Sequence, residues 1–208
     1  MMNRLVYQDK VLEEFKIHPK GTIFTNSDFL TFATFGTINK ILFRLVDRQE
    51  IVRIAEGFYT ILEYSDTIKE FVFPTPENFA RKIADKYSWE IAPTGEAALN
   101  AIGLSTQVSN RYRFISNGPY KEYAYDGRII EFKHTTNRMI AKNSKEFNLL
   151  IQAMKALGKG SIRNEDVEKL RNYYHDFVKD DFKSVAKTLP AWIYEEMLTI
   201  AGEKRTNV

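Results

Sequence analysis

Apolar residues recur at spacings of three and four through residues 37–48, where Ile38, Ile41, Leu42, Leu45 and Val46 form the buried stripe of an amphipathic helix. The opposite side carries Thr37, Asn39, Lys40, Arg44 and Arg48. Ahead of it, Asn26 or Ser27 offers an N-cap and Asp28 an acidic first turn for a short helix through Ala33, with a break over residues 34–36. Behind it, Ile51-Val52-Arg53-Ile54 and Phe58-Tyr59-Thr60-Ile61 flank a turn at Ala55-Glu56-Gly57, a hairpin in which Gly57 is free to take positive φ. Residues 5–17 carry Leu5, Val6, Val11, Leu12 and Phe15 at helical spacing, with Pro19 and Gly21 ending the helix. Thr22-Ile23-Phe24 adds a short extended piece beside the hairpin. Helix, strand, helix, helix and two strands is the order of a winged helix-turn-helix, predicted for residues 1–62.

The pattern loosens over residues 63–76, where Pro74 and Pro76 favour extended chain and mark a connector. A second domain is predicted over 77–208. It opens with a helix striped by Phe79, Ile83, Ala84 and Tyr87, then a strand at Trp89-Glu90-Ile91-Ala92 and a helix rich in small residues over 95–102. Strands follow at 111–116, 120–125 and 128–134; Asn117-Gly118 and Asp126-Gly127 are tight-turn signals, so the three read as an antiparallel meander. Helices are expected from Ser144 to Leu157, capped by Asn164 through Phe177, and over 184–189 and 192–200. The fold class is α+β: an N-terminal winged helix-turn-helix, then an α+β domain with a three-stranded meander and a helical C-terminal tail.

At 208 residues with 44% apolar and 13% aromatic content, the chain is long enough for two packed cores. The formal charge of +3 is too small to argue for nucleic acid by itself. Its distribution is uneven: Lys and Arg number 10 against 4 acidic residues over 111–162, but only 8 against 7 over 1–62. The absence of cysteine removes disulfides, thiolate metal sites and thiol nucleophiles. No stretch approaches the roughly 20 apolar residues of a membrane span, so a cytoplasmic protein without membrane contact is expected.

The chemistry of the 37–48 helix suits a recognition helix. Guanidinium and amide side chains make paired hydrogen bonds to base edges, while Lys and hydroxyls reach phosphates. Thr37, Asn39, Lys40, Arg44, Arg48 and Arg53 are therefore the DNA-contact candidates. The same residue types line any solvated helix, and helix-turn-helix units also dock proteins. A second basic surface is expected from Arg111, Arg113, Lys121, Arg128, Lys133 and Arg138, with tyrosines among them; strand alternation places Arg111 and Arg113 on one face. It suits nucleic acid, an acidic protein, or merely solvent. His18, His134 and His175 stand alone without ligand spacing, and the serines and glycines match no nucleophile elbow or phosphate loop, so no catalytic residue, metal or cofactor is expected.

Arg53-Ile54-Ala55-Glu56-Gly57-Phe58-Tyr59, then Pro74-Thr75-Pro76, then the segment from Ala92-Pro93-Thr94-Gly95 to Gly103-Leu104, then residues 127–134, together resemble the AbiEi-like antitoxins. The resemblance covers roughly residues 22–157. It implies a prokaryotic type IV toxin-antitoxin system, with a winged helix that represses its own operon and a second domain that counteracts a nucleotidyltransferase-like toxin. Partners would then be double-stranded operator DNA and that toxin. On this model Thr37, Asn39, Lys40 and Arg44 read the operator and Arg48 and Arg53 contact its backbone. The alternative is a protein-interaction module that neutralises a partner without sequence-specific DNA binding. This chain has Gln49-Glu50 where a glycine commonly separates recognition helix and wing, and Phe43 on or near the exposed face leaves room for a protein contact.

Overall fold

The computed structural model describes residues 2–135, 143–179 and 181–203, with the side chains of residues 2–5 outside that description. The chain is a mixed α+β protein with seven α-helices and small sheets among the described residues. It divides into two compact units, Met1–Ser88 with Tyr123–Arg128, and Trp89–Glu122 with Ile129–Val208.

In the first unit, α1 (Met2–Ile17) is followed by a single 3-10 turn at Asn26–Phe29, then α2 (Phe35–Asp47) and the antiparallel pair β1 (Val52–Ala55) and β2 (Phe58–Thr60). Phe24 and Tyr59 exchange both backbone hydrogen bonds at 2.8 Å, so the extended piece before the turn meets β2 at one residue. Ile38, Leu42 and Leu45 are fully buried and Ile41 nearly so. Each contributes about 1.5–3 kcal/mol of burial free energy. They close over Val11 and over Phe15, Phe24 and Phe29, three rings whose centroids lie 4.5–5.5 Å apart.

The expected short helix through Ala33 contracts to the 3-10 turn, and its cap is Thr25, not Asn26 or Ser27. Asp28 folds back to accept from the Thr25 N–H at 2.6 Å and also pairs with Lys82 at 2.9 Å. Asn26 is buried and spends its amide on Asn39 instead.

The helix exit absorbs the missing glycine in a specific way. Gln49 itself takes φ +60°, its N–H donating to Val46 O while Glu50 N–H donates to Leu45 O, both at 2.9 Å. This is a Schellman closure with a side chain at the position that favours glycine. Relieving that strain with Gln49→Gly is expected to stabilise the protein by about 0.5–1 kcal/mol in urea unfolding; a loss of stability would contradict the assignment.

The expected connector contains a two-stranded ribbon, β3 (Glu63–Ser65) and β4 (Glu70–Val72), in which the Tyr64 and Phe71 rings meet at 5.4 Å. Next comes α3 (Pro76–Tyr87), with Pro76 in its first turn and the Asn78 N–H donating to the Thr75 hydroxyl. The sequence reading assigns this helix to the second domain; the structure groups it with the first unit. The cause is aromatic: Phe79 lies 5.2 Å from Phe58 and 4.7 Å from Tyr125, ring to ring.

The second sheet consists of β5 (Ile91–Thr94), β6 (Arg111–Ser116), β7 (Lys121–Tyr125) and β8 (Arg128–His134), in the order β5-β6-β8-β7. This corrects the expected meander. β6 runs parallel to β8, from Arg111 opposite Ile129 to Ser116 opposite His134, and β7 is not its neighbour. Asn117-Gly118 is no hairpin turn. Neither residue has positive φ, Asn117 bonds to both backbone groups of Glu90, and a Cβ on Gly118 would fall 2.2 Å from the Trp89 ring. The glycine is there for close approach. Asp126-Gly127, with φ +47° and +66°, does make the primed turn that its composition signals.

Within the second unit, α4 (Glu96–Ile102), α5 (Lys145–Leu157), α6 (Asn164–Phe177) and α7 (Ala191–Ile200) bury Leu99, Phe147, Leu150, Met154, Leu170, Ile193 and Met197 in one core. Ser144 caps α5 as its position suggests, accepting from the Phe147 N–H. For α6 the cap is Arg163 and not Asn164. Asp166 is buried and accepts from the Arg163 N–H and Nε, each at 3.0 Å.

Candidate nucleic-acid interface

The site is built by α2 and the strand that follows it. Because Ile38, Ile41, Leu42 and Leu45 turn inward, a residue diametrically opposed to them must face out. The outward ridge is Gly36, Lys40, Phe43, Arg44 and Asp47, all exposed. The side chains of Lys40 and Arg44 have no ion pair or hydrogen bond among the described residues. Arg53, exposed on β1, is likewise unpaired there. Arg48 extends the positive side at the helix exit, 3.9 Å from Glu50 and 58% exposed. Asp47 is the one anion on the ridge.

Thr37 and Asn39 are placed differently from their neighbours. The Thr37 hydroxyl lies 3.1 Å from that of Thr34, and Thr37 is half-buried. Asn39 lies on the flank of the helix, half-buried, with its Oδ1 accepting from the Asn26 amide. A base contact by Asn39 would have to replace that bond. Helical spacing alone cannot reveal this, since the competing group lies thirteen residues upstream.

The hairpin tip is also constrained. Lys86 Nζ stands 4.5 Å above the Phe58 ring, and a Cβ on Gly57 would lie 2.7 Å from that ammonium. Gly57 has φ +74°, as its place in the turn suggests. All of β2 is buried, so Arg53 on β1 is the outward cation of the hairpin.

The expected second basic surface proves largely neutralised. Arg111 and Arg113 share a face with Glu131 and Lys133, as alternation and the parallel register require. Glu131 is only 7% exposed and gathers Arg113 at 3.0 Å, Arg111 at 3.4 Å and Lys133 at 3.6 Å. Arg111 also pairs with Glu122 at 2.7 Å, and Arg128 with Asp126 at 3.4 Å. Lys121 is half-buried. Arg138 lies outside the described residues, as does Lys142. Glu131 is brought to these arginines only by the β6–β8 register, and Glu122 only by the strand order that sets β7 beyond β8, neither of which local spacing reveals.

These pairings leave a mark on titration. Burial pushes the Glu131 carboxyl up, but hydrogen bonds from Arg113 and Arg111 outweigh it and hold it below the usual range. Asp28 follows the same logic, with Lys82 and the Thr25 backbone overcoming burial. The Arg163 guanidinium holds Asp166 low. Each carboxyl is more acidic folded than unfolded, so its stabilisation is complete above the ordinary carboxylate range and lost as pH falls through the folded value. The melting temperature is expected to stay flat from neutrality to about pH 5 and drop below about pH 4. Glu131→Gln should lower it at neutral pH and flatten the acid limb; an unchanged acid limb would contradict the role of this cluster.

Other chemistry is sparse. A shallow groove of about 240 Å³ is lined by Gly21, Thr22, Ile23, Asn78, Arg81, Lys82 and Asp85. Its cations are taken, Arg81 by Glu77 at 2.6 Å and Lys82 by Asp28. Among the described residues no three histidine or acidic side chains converge as metal ligands. No helix among them is long and apolar enough to cross a membrane.

One family model matches residues 10–182, most of the chain and parts of both units. The chain belongs to DUF6088, a family of unknown function. No curated protein and no solved structure matches it. The DUF6088 match includes α2, β1 and the whole of the β5–β8 sheet, so the free cations of the first unit and the paired ones of the second both fall within the family's extent.

Proposed function

We propose that this protein is the antitoxin and autorepressor of a type IV toxin-antitoxin operon, binding operator DNA through a winged helix-turn-helix. The order α1, bridging strand, turn, α2 and hairpin supports the winged-helix assignment, with α2 as recognition helix and β1-β2 as a short wing. The observation that carries the reading is the outward, unpaired state of Lys40 and Arg44 on α2 and Arg53 on β1. Cations that hold no carboxylate are free to displace counterions from phosphates, and a guanidinium with no internal partner can take the N7 and O6 of guanine. The second domain, on this reading, counteracts a nucleotidyltransferase-like toxin. The charge-balanced β6–β8 face favours a protein contact there over phosphate, because its arginines are already engaged.

The test is equilibrium binding to the duplex upstream of the protein's own gene, against a scrambled duplex of equal composition, at low salt. Preferential binding that weakens as salt rises is expected. Equal affinity for both, or none for either, would refute the repressor role. The second reading, a module that docks protein through α2, draws on the exposure of Phe43; it predicts capture of a toxin that is lost on changing Phe43 and indifferent to Arg44.

A further inference from the structure

Phe43 is 71% exposed on the midline of the face that carries Lys40 and Arg44. The buried stripe is complete without it, since Ile38, Ile41, Leu42 and Leu45 fill the core side of α2. Its neighbours on the ridge are a glycine with open space around it, two unpaired cations and one aspartate. Among the described residues no aromatic ring or cation packs on the Phe43 ring. Resting on the DNA-binding reading, we infer that Phe43 determines specificity by packing on the 5-methyl group of a thymine in the major groove that Arg44 reads.

The groove edge offers one apolar feature, the thymine methyl, and a phenyl ring is among the side chains suited to cover it. Phe43 and Arg44 stand about 100° apart around α2, so their tips diverge and reach different base pairs of one groove, roughly three base steps apart. Lys40, one turn earlier on the same ridge, supplies the phosphate contact that holds the register. The charge on this face favours a polyanion as occupant: Lys40 and Arg44 share the ridge with the ring, against Asp47 alone. The preferred duplex is therefore expected to contain a thymine within about three base pairs of a guanine.

The experiment uses the full-length protein and the duplex it prefers from a randomised pool. Each thymine is replaced in turn by uracil, which removes one methyl and leaves every hydrogen-bonding edge unchanged. Wild type is expected to lose about three- to tenfold in affinity at one thymine per bound chain, the order for one buried methyl. Phe43→Ala should bind the thymine duplex more weakly by a similar factor and be indifferent to that uracil, while Phe43→Leu retains part of the sensitivity. Uniform indifference of the wild type to uracil, or undiminished sensitivity in Phe43→Ala, overturns the inference while leaving operator binding intact. Wild-type DNA affinity in Phe43→Ala together with lost capture of a protein partner overturns it in favour of protein docking. Failure to enrich any duplex overturns the DNA-binding reading as well.

Discussion

Arg44→Ala is expected to erase most of the distinction between the upstream duplex and a scrambled one, by about 1–3 kcal/mol in the difference of binding free energies. The fold should be unaffected, because Arg44 is exposed and holds no partner among the described residues. Arg53→Ala acts differently. On the proposed reading its side chain meets the DNA backbone, so affinity should fall about equally for both duplexes and the slope of log K against log salt should become shallower by about one. Opposite assignments for the two arginines would place base reading on the hairpin instead of on α2.

The largest stability effect is expected at Phe29. Its ring is fully buried against Phe15 at 5.3 Å, Phe24 at 5.5 Å and Phe32 at 6.4 Å, beneath the inward stripe of α2. Phe29→Ala removes the centre of that cluster and should cost about 3–5 kcal/mol through lost burial and the cavity left behind. Both tryptophans, Trp89 and Trp192, belong to the second unit, so intrinsic tryptophan fluorescence is the wrong probe. Hydrogen exchange of the α2 amides reports the first unit directly. Acceleration by two orders of magnitude or more is the expected result; unchanged protection would mean that α2 does not rely on this cluster.

Much of this protein was legible where one local period dominates. The stripe from Ile38 to Leu45 fixed both the helix and its wet side, and Thr75-Pro76 and Ser144 announced their helices through local chemistry. Features set by distant partners were not legible. Asn117-Gly118 imitates a hairpin, but its glycine is demanded by the Trp89 ring and its asparagine by Glu90, so the parallel pairing of β6 with β8 was hidden. The same register conceals the neutralisation of Arg111 and Arg113, since Glu131 is close to them only through the direct pairing of β6 with β8. Composition over 111–162 thus overstated the free positive charge. Three-residue strands such as β3 and β4 are too short for alternation to separate from a connector. At the candidate interface, Lys40, Arg44 and Arg53 face outward as their spacing implies, whereas the buried amide of Asn26 draws Asn39 aside.

The central claim, that the outer face of α2 with Arg53 meets DNA, is tested most directly by titrating the isotopically labelled protein with its upstream duplex and following backbone amide resonances. The account predicts perturbations concentrated in residues 36–48 and at Arg53, with Arg111, Arg113 and Lys133 little changed. Perturbations centred on the β6–β8 face with α2 silent, or none at saturating duplex, would contradict it.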